Sequence, residues 1–424
     1  MRVLLLADRD FAYREHAMLR RLQIGLLDEG IVAQQAHAMS TPAGAPGEAP
    51  TEVVRFQDAG PSLTLTIRAR RLVRELEDRA DAPVQDDRLV DVVHAFGSGA
   101  WPMARALARE TGAALCYEFH ALTQVDQIGK AEHAAVRALA PGTAMAWSCA
   151  DAGLIEAVEA ASARAKVRLV PWGVHVPEAP APERREGEPL ALAILADPAS
   201  PDHPGALLEA LAAFDPDALR LPPGARERAE AATLMTKPTA APGDAPDTVD
   251  PWTMLPDRPM LFVDEASRSW LHRAGRLDQL GLRERLTLTP SLEANRSLAL
   301  RCDALIVPTA TGAQHSLVLD AMALGMRVIA ARDSACSILR DDETAFLTDV
   351  ASPNTAAWTA VLNRAFPDEG RGHMPTESAR AILRDERLAS HQIAELINLY
   401  GELGGPPPAI AFEQAAGGIP PANA

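Results

Sequence analysis

The chain has 424 residues, too long for one ordinary core, so two domains are the expectation. Hydrophobic residues make up 47% and charged residues 23%, as in folded soluble proteins, and 41 Lys and Arg against 57 Asp and Glu leave a formal charge of −16. That charge opposes binding to nucleic acid or anionic membrane, and no basic stripe with interleaved aromatics offsets it.

"RVLLLA" at the start is a compact apolar run bounded by "DRD", which predicts a buried parallel strand. The run is too short for a signal peptide, and no stretch of about 18 apolar residues follows anywhere, so a cytoplasmic protein without a transmembrane segment is expected. Met18, Leu22 and Leu26 recur at helical spacing before Gly30. In "RARRLVRELEDRA" and the Ile67 before it, the residues Ile67, Leu72, Val73 and Leu76 are expected to form one apolar face. "LVDVVHAF", "ALCYEFH" and "VRLVPWG" read as further strands ending in His, Gly or Pro. Strands alternating with helices predict a parallel α/β sheet over residues 1–178.

The alternation breaks at the Pro- and charge-rich "PEAPAPERREGEP", which reads as a linker over 179–189. It restarts with "LALAILAD", "PGALLEALAAF", "PMLFVDE", "RLTLTP", "CDALIVP" and "RVIAA", giving a second α/β domain over 190–400. An irregular Pro- and Ala-rich insertion is expected near 217–258, and a loosely held tail over 401–424. Cys116, Cys149, Cys302 and Cys336 show no CxxC spacing and read as single buried thiols.

Ligands of open parallel sheets sit at the carboxyl ends of strands. Four segments occupy that place: the turn after Phe96 with Gly97, the segment around His120, the turn after Trp172 with Gly173, and "TATGAQHS", Thr309 to Ser316. In the last, Ser316 is expected to cap a helix whose Leu317 and Val318 N–H groups face an anion, with Asp320 one turn in, within reach of a hydroxyl. This suits a nucleoside diphosphate with its ribose. The pattern alone equally fits a capping serine and a solvated aspartate.

The segment from "CDALIVP" through "SLVLDAMALGMRVIAARDSACSILRDDETAFL" resembles the signature of GT-B glycosyltransferases of family 4. "MRVLLLADRD", "DVVHAFGSG", "CYEFHAL", "AWSCADAGL", "VRLVPWGVHVP" and "RLDQLGLRERLTL" agree with that family in order, over roughly residues 1–180 and 260–400. The resemblance implies a GT-B fold, two Rossmann-like domains facing across a cleft. It also implies retaining sugar transfer from a nucleotide-sugar donor, with no cofactor and no essential metal. By the same resemblance Asp320 would bind the ribose, Ser316, Leu317 and Val318 the phosphates, and His120 would be the catalytic residue on the acceptor side. Phe96, Gly97 and Gly173 would line the cleft.

The sequence departs from that pattern where charge matters. Gly312 stands where the family has its first glutamate, Phe96 where it often has a second histidine, and "DRDFAYREHAM" where it has a glycine-rich loop. The Arg and Lys that normally neutralise the donor diphosphate are absent, leaving His203 and His315 as candidate substitutes. Losing one such donor commonly costs about 3–4 kcal/mol of transition-state stabilisation. Two readings follow: a sugar transferase acting on an unknown acceptor, or a catalytically impaired GT-B-fold protein that binds a ligand or partners an active enzyme.

Overall fold

The computed structural model describes residues 1–40, 53–58, 60–79, 89–180, 190–195, 204–214, 259–264, 277–289, 291–333, 335–349, 354–366 and 375–404. Strand β1 (Arg2–Ala7) is Val and Leu from its second residue to its fifth and is buried on both faces, as the central strand of a parallel sheet must be. Helix α1 (Arg9–Arg14) follows, capped by Asp8, whose side chain accepts the Phe11 N–H at 2.9 Å. Helix α2 (His16–Asp28) buries Met18, Leu19, Leu22 and Leu26 at helical spacing, and Gly30 turns the chain at φ 76°.

The first unit continues through β2 (Val32–Ala38), β3 (Val53–Phe56), α3 (Leu65–Asp78), β4 (Val92–Phe96), α4 (Trp101–Thr111), β5 (Ala114–Phe119), α5 (Val125–Ala138), β6 (Met145–Cys149), α6 (Ile155–Ala161) and β7 (Lys166–Leu169). Its strands pair in parallel in the order β3-β2-β1-β4-β5-β6-β7. The second unit comprises β8 (Ala191–Ile194), α7 (Pro204–Ala213), β9 (Met260–Asp264), β10 (Leu286–Thr289), α8 (Arg296–Ala299), β11 (Ala304–Val307), α9 (Ser316–Ala323), β12 (Arg327–Ala330), β13 (Phe346–Leu347), α10 (Thr355–Ala365), α11 (Pro375–Glu386) and α12 (Ala389–Gly404). Its strands are also parallel, in the order β10-β9-β8-β11-β12-β13. The protein is therefore α/β with two Rossmann-like sheets, each reversing its winding direction beside its first strand.

Helix α12 returns to the first unit and packs on α2, β4 and β5. Its Tyr400 donates its hydroxyl hydrogen bond to His94 Nδ1 at 2.7 Å, and His94 Nε2 meets Glu118 Oε2 at 3.1 Å. Glu118 Oε1 accepts the indole N–H of Trp172 at 2.5 Å. All four residues are buried, so His94 serves the core by fastening the last helix to β4 and β5. A hydrophobic cluster runs from Leu4 and Phe11 to Leu317 and Met322, joining the two units, while Leu192, Leu211 and Trp358 belong to a second cluster.

Ile67 corrects the expected apolar face of α3: it is 68% exposed, whereas Ala69, Leu72 and Leu76 are buried. Five residues advance a helix by about 500°, so Ile67 and Leu72 lie about 140° apart. The four cysteines are free and buried. The expected insertion at 217–258 lies outside the described residues, as do 181–189 of the expected linker and 405–424 of the expected tail. Among the described residues no helix is long and apolar enough to cross a membrane.

Candidate functional site

Strand β11 lies at the switch point of the second sheet, next to β8, and the loop that leaves it runs from Pro308 into α9. The residue capping α9 is His315, not Ser316. His315 holds extended backbone at φ −122° and makes no side-chain cap, while Ser316 is the first helical residue. The Val318 N–H is also not free, because it donates to the His315 carbonyl at 3.1 Å.

An anion does sit at this helix end, and the protein supplies it. Glu15, from the corner between α1 and α2, accepts the Ser316 N–H at 3.3 Å on Oε1. Its Oε2 accepts the Ser316 hydroxyl and, at 3.0 Å, Arg296 Nη2. Asp320, one turn into α9, is bound by Arg21 at 2.6 Å and by Arg296 Nη1. Arg296 thus joins two carboxylates and the Ser316 hydroxyl, and its side chain is only 9% exposed. Burial would lower its pKa, yet Glu15 and Asp320 beside it raise it, so the guanidinium stays charged.

A second group lies alongside. Glu293, completely buried, accepts from Arg14 and meets His315 Nδ1 at 2.8 Å, and His315 Nε2 lies 3.2 Å from the Thr311 hydroxyl. Burial would raise the Glu293 carboxyl, but Arg14 and His315 outweigh it and hold the group well below the usual carboxylate range. Oxygens of Glu15 and Glu293 and a nitrogen of His315 lie within 4.8 Å of one another, a spacing that would admit one metal ion. The same carboxylates already hold Arg296 and Arg14, and a divalent ion there would stand against two guanidiniums. The residues fit an ion-pair network better than a metal centre.

Gly312 takes φ 63°, a left-handed conformation that favours glycine. Its N–H donates to Asp333 Oδ2 at 2.8 Å, and its carbonyl accepts from the Leu122 N–H at 2.7 Å. Ala313 pairs antiparallel with Ala121, and the Gln314 N–H donates to the His120 carbonyl at 2.8 Å. The loop is thereby stitched to the segment after β5. A Cβ on Gly312 would come within 3.2 Å of Leu122, so a longer side chain there must displace both backbone and neighbour.

His120 stacks near Trp172, centroids 5.8 Å apart, and meets the edge of Phe11 at 4.9 Å. Burial, with His315 and Arg14 adding repulsion, pushes its pKa down from 6.5 to about 3. Its Nδ1 has no hydrogen-bond partner among the described residues. At neutral pH this ring is neutral and carries no positive charge into the site. The depressed pKa makes it a source of pH dependence: the folded state binds fewer protons than the unfolded state between pH 6.5 and about 3. Stability from this group is complete above 6.5 and falls as pH drops, by at most about 1.4 kcal/mol per unit. Urea titrations from pH 7 to 4.5 should show a shallower fall for His120→Phe than for the parent; parallel curves would contradict this.

The other sequence candidates scatter. Phe96 packs on Phe11 at 5.2 Å and on His94 at 4.2 Å, within the core of the first unit. Gly97, at φ 78°, lies hard against the Asp8 carboxylate, which accepts the Gly99 N–H at 3.0 Å. A Cβ on Gly173 would sit 2.5 Å from the Leu388 carbonyl oxygen, and its N–H donates to Gln392, so this glycine admits the start of α12. Leu317 and Val318 are buried in the helix. His203 lies outside the described residues. Sequence reasoning missed Arg14, Glu15, Arg21, Glu293 and Arg296; the density of charge in "DRDFAYREHAM" was a signal for Arg14 and Glu15, while Arg21 lies beyond that run and "SLEANRS" carries an ordinary share of charge.

No protein-family model matches the chain, and no curated protein matches it in sequence. Solved structures do match in fold. Sucrose-phosphate synthase from Thermosynechococcus elongatus superposes with a TM-score of 0.65 at 13% identity, covering 95% of this chain and 99% of that one. HepE of Anabaena, in complex with UDP and glucose, gives 0.64 at 14% identity, covering 95% of this chain and 100% of that one. WaaG, a glycosyltransferase involved in lipopolysaccharide biosynthesis, gives 0.57 at 14%, covering 96% and 100%. Together with the two switch-point sheets, these likenesses establish the GT-B fold, two Rossmann-like domains facing across a cleft.

Proposed function

We propose that the chain binds a nucleotide-activated sugar between its domains and transfers the sugar, with retention and without a metal, to an acceptor. The observation that carries this reading is the end of α9. Its first N–H and Arg296 already hold an oxyanion, and a carboxylate, Asp320, stands one turn along. The HepE structure was obtained with UDP and glucose, which supports a nucleoside diphosphate as the ligand class. The resemblance to family 4 supports retention.

In this reading Arg296 and Arg21 replace the cations that the sequence lacks at the start of the second domain. They come from α8 and α2 and converge on Asp320. Fixed guanidiniums beside the helix N-terminus would stabilise the charge that gathers on a departing nucleoside diphosphate. Neutral His120 would hydrogen-bond a sugar or acceptor hydroxyl through Nδ1 rather than donate charge.

A second reading, binding without transfer, is favoured by Gly312. Its position has no carboxylate, and Leu122 and Asp333 hold the loop where one would have to enter. Titration calorimetry with UDP, UDP-glucose and uridine, followed by assays for release of nucleoside diphosphate, tests both. Micromolar binding of UDP with none for uridine, and slow release, supports transfer. Equal binding without release supports the second reading. No binding of any nucleotide or nucleotide sugar would overturn both.

A further inference from the structure

Glu15 does at α9 what an oxyanion ligand would do. Its carboxylate takes the first N–H of the helix, the hydroxyl of Ser316 and Nη2 of Arg296, and the residue is only 4% exposed. It reaches these partners from the other domain, 281 and 301 positions away in sequence. With His315 uncharged the surrounding charges balance: Glu15, Glu293 and Asp320 stand against Arg14, Arg21 and Arg296. A diphosphate added to that set would leave at least two negative charges without a cation. The carboxylates differ in what their departure would release. Glu293 and Asp320 both belong to the second domain, as Ser316 does. Glu15 alone leaves behind both a helix N–H and a guanidinium when it goes, and its going removes one of the ties between the α1–α2 corner and α9, where Arg21 still holds Asp320.

We propose that Glu15 is an internal stand-in for a diphosphate, latching the two domains together, and that Glu15 and a diphosphate exclude one another from α9. This rests on the donor-site reading above and adds that binding must open the latch, with Arg296 passing from the carboxylate to the diphosphate. Removing the charge at position 15 should then strengthen diphosphate binding, the reverse of the effect expected for a residue that assists the ligand.

The probe is inorganic pyrophosphate, titrated calorimetrically into the full-length parent, Glu15→Gln and Glu15→Ala. Glu29→Gln, an exposed change of equal charge at the far end of α2, controls for net charge. Pyrophosphate should bind both position-15 variants about tenfold more tightly than the parent, the scale of an ordinary coupling between exclusive states, with Glu29→Gln unchanged. Equal or weaker binding in folded position-15 variants, the same gain in Glu29→Gln, or no binding by any protein would each overturn the latch. Should both variants fail to fold, Glu15→Asp decides: it keeps the charge but shortens the reach, and binding no tighter than the parent overturns the proposal. UDP, titrated in parallel, separates this from the nucleotide reading. If pyrophosphate shows the gain and UDP binds no better than pyrophosphate, the latch stands and the nucleotide reading falls. UDP binding alike in parent and variants leaves the nucleotide reading and removes the latch.

Discussion

Arg296→Met should lower the unfolding free energy by about 3–5 kcal/mol, the usual consequence of removing one partner from a buried ion-pair network. Arg296 binds Glu15 and Asp320 at once, and its side chain is 9% exposed. Methionine fills much of the same space, so the loss measured is mainly that of charge. Asp320 would retain Arg21, but Glu15 would keep only the Ser316 N–H and hydroxyl for its buried charge. Adding Glu15→Gln should recover most of the loss, because a neutral amide needs no cation. Urea denaturation of the two single variants and the double variant closes the cycle. Additive losses would mean that Arg296 and Glu15 are not energetically coupled.

Glu118→Leu is expected to cost about 2–5 kcal/mol, and its origin differs. The carboxylate accepts from the Trp172 indole and faces His94 Nε2, and both partners would remain buried with a polar nitrogen unmatched. Each unsatisfied donor costs about 1–3 kcal/mol. Burial pushes the Tyr400 phenol well up, so its hydroxyl remains protonated and donates to His94 Nδ1, leaving the Nε2–H to face Glu118. Losing the carboxylate therefore loosens the hold on α12 as well. Glu118→Gln, which keeps an acceptor, should cost less than half as much. A loss below about 1 kcal/mol for Glu118→Leu would mean that the chain from Tyr400 to Trp172 contributes little.

Much of the fold is legible because buried parallel strands leave a mark that local reading detects. "RVLLLA", "DALIV" and "RVIA" are uninterrupted apolar runs, and each became a strand buried at nearly every position past its first. Two separate sheets follow from the break after residue 178 and the restart at "LALAI". Ile67 misled because a helix face was drawn from apolar residues alone, while Arg68 is the buried neighbour, donating to the Gln57 and Asp58 carbonyls. The strand, loop and helix around Thr309 were legible, but the charges that gather at the start of that helix were not. Arg14, Glu15 and Arg21 meet Glu293, Ser316 and Asp320 across some 280 to 300 residues, and no periodicity encodes which charges converge across a cleft. "DRDFAYREHAM" showed the absence of a glycine-rich loop. Only the fold shows that a helix took its place and brought Phe11 and Glu15 with it.

Hydrogen–deuterium exchange with and without UDP-glucose tests the central claim, that the N-terminus of α9 is the site where a nucleotide-sugar diphosphate binds. The account predicts slowed exchange in peptides covering residues 312–323 on adding the ligand, with faster exchange at residues 9–16 as Glu15 gives up its place. Protection confined to other parts of the chain, or no change at residues 312–323 under conditions where calorimetry detects binding, would contradict it.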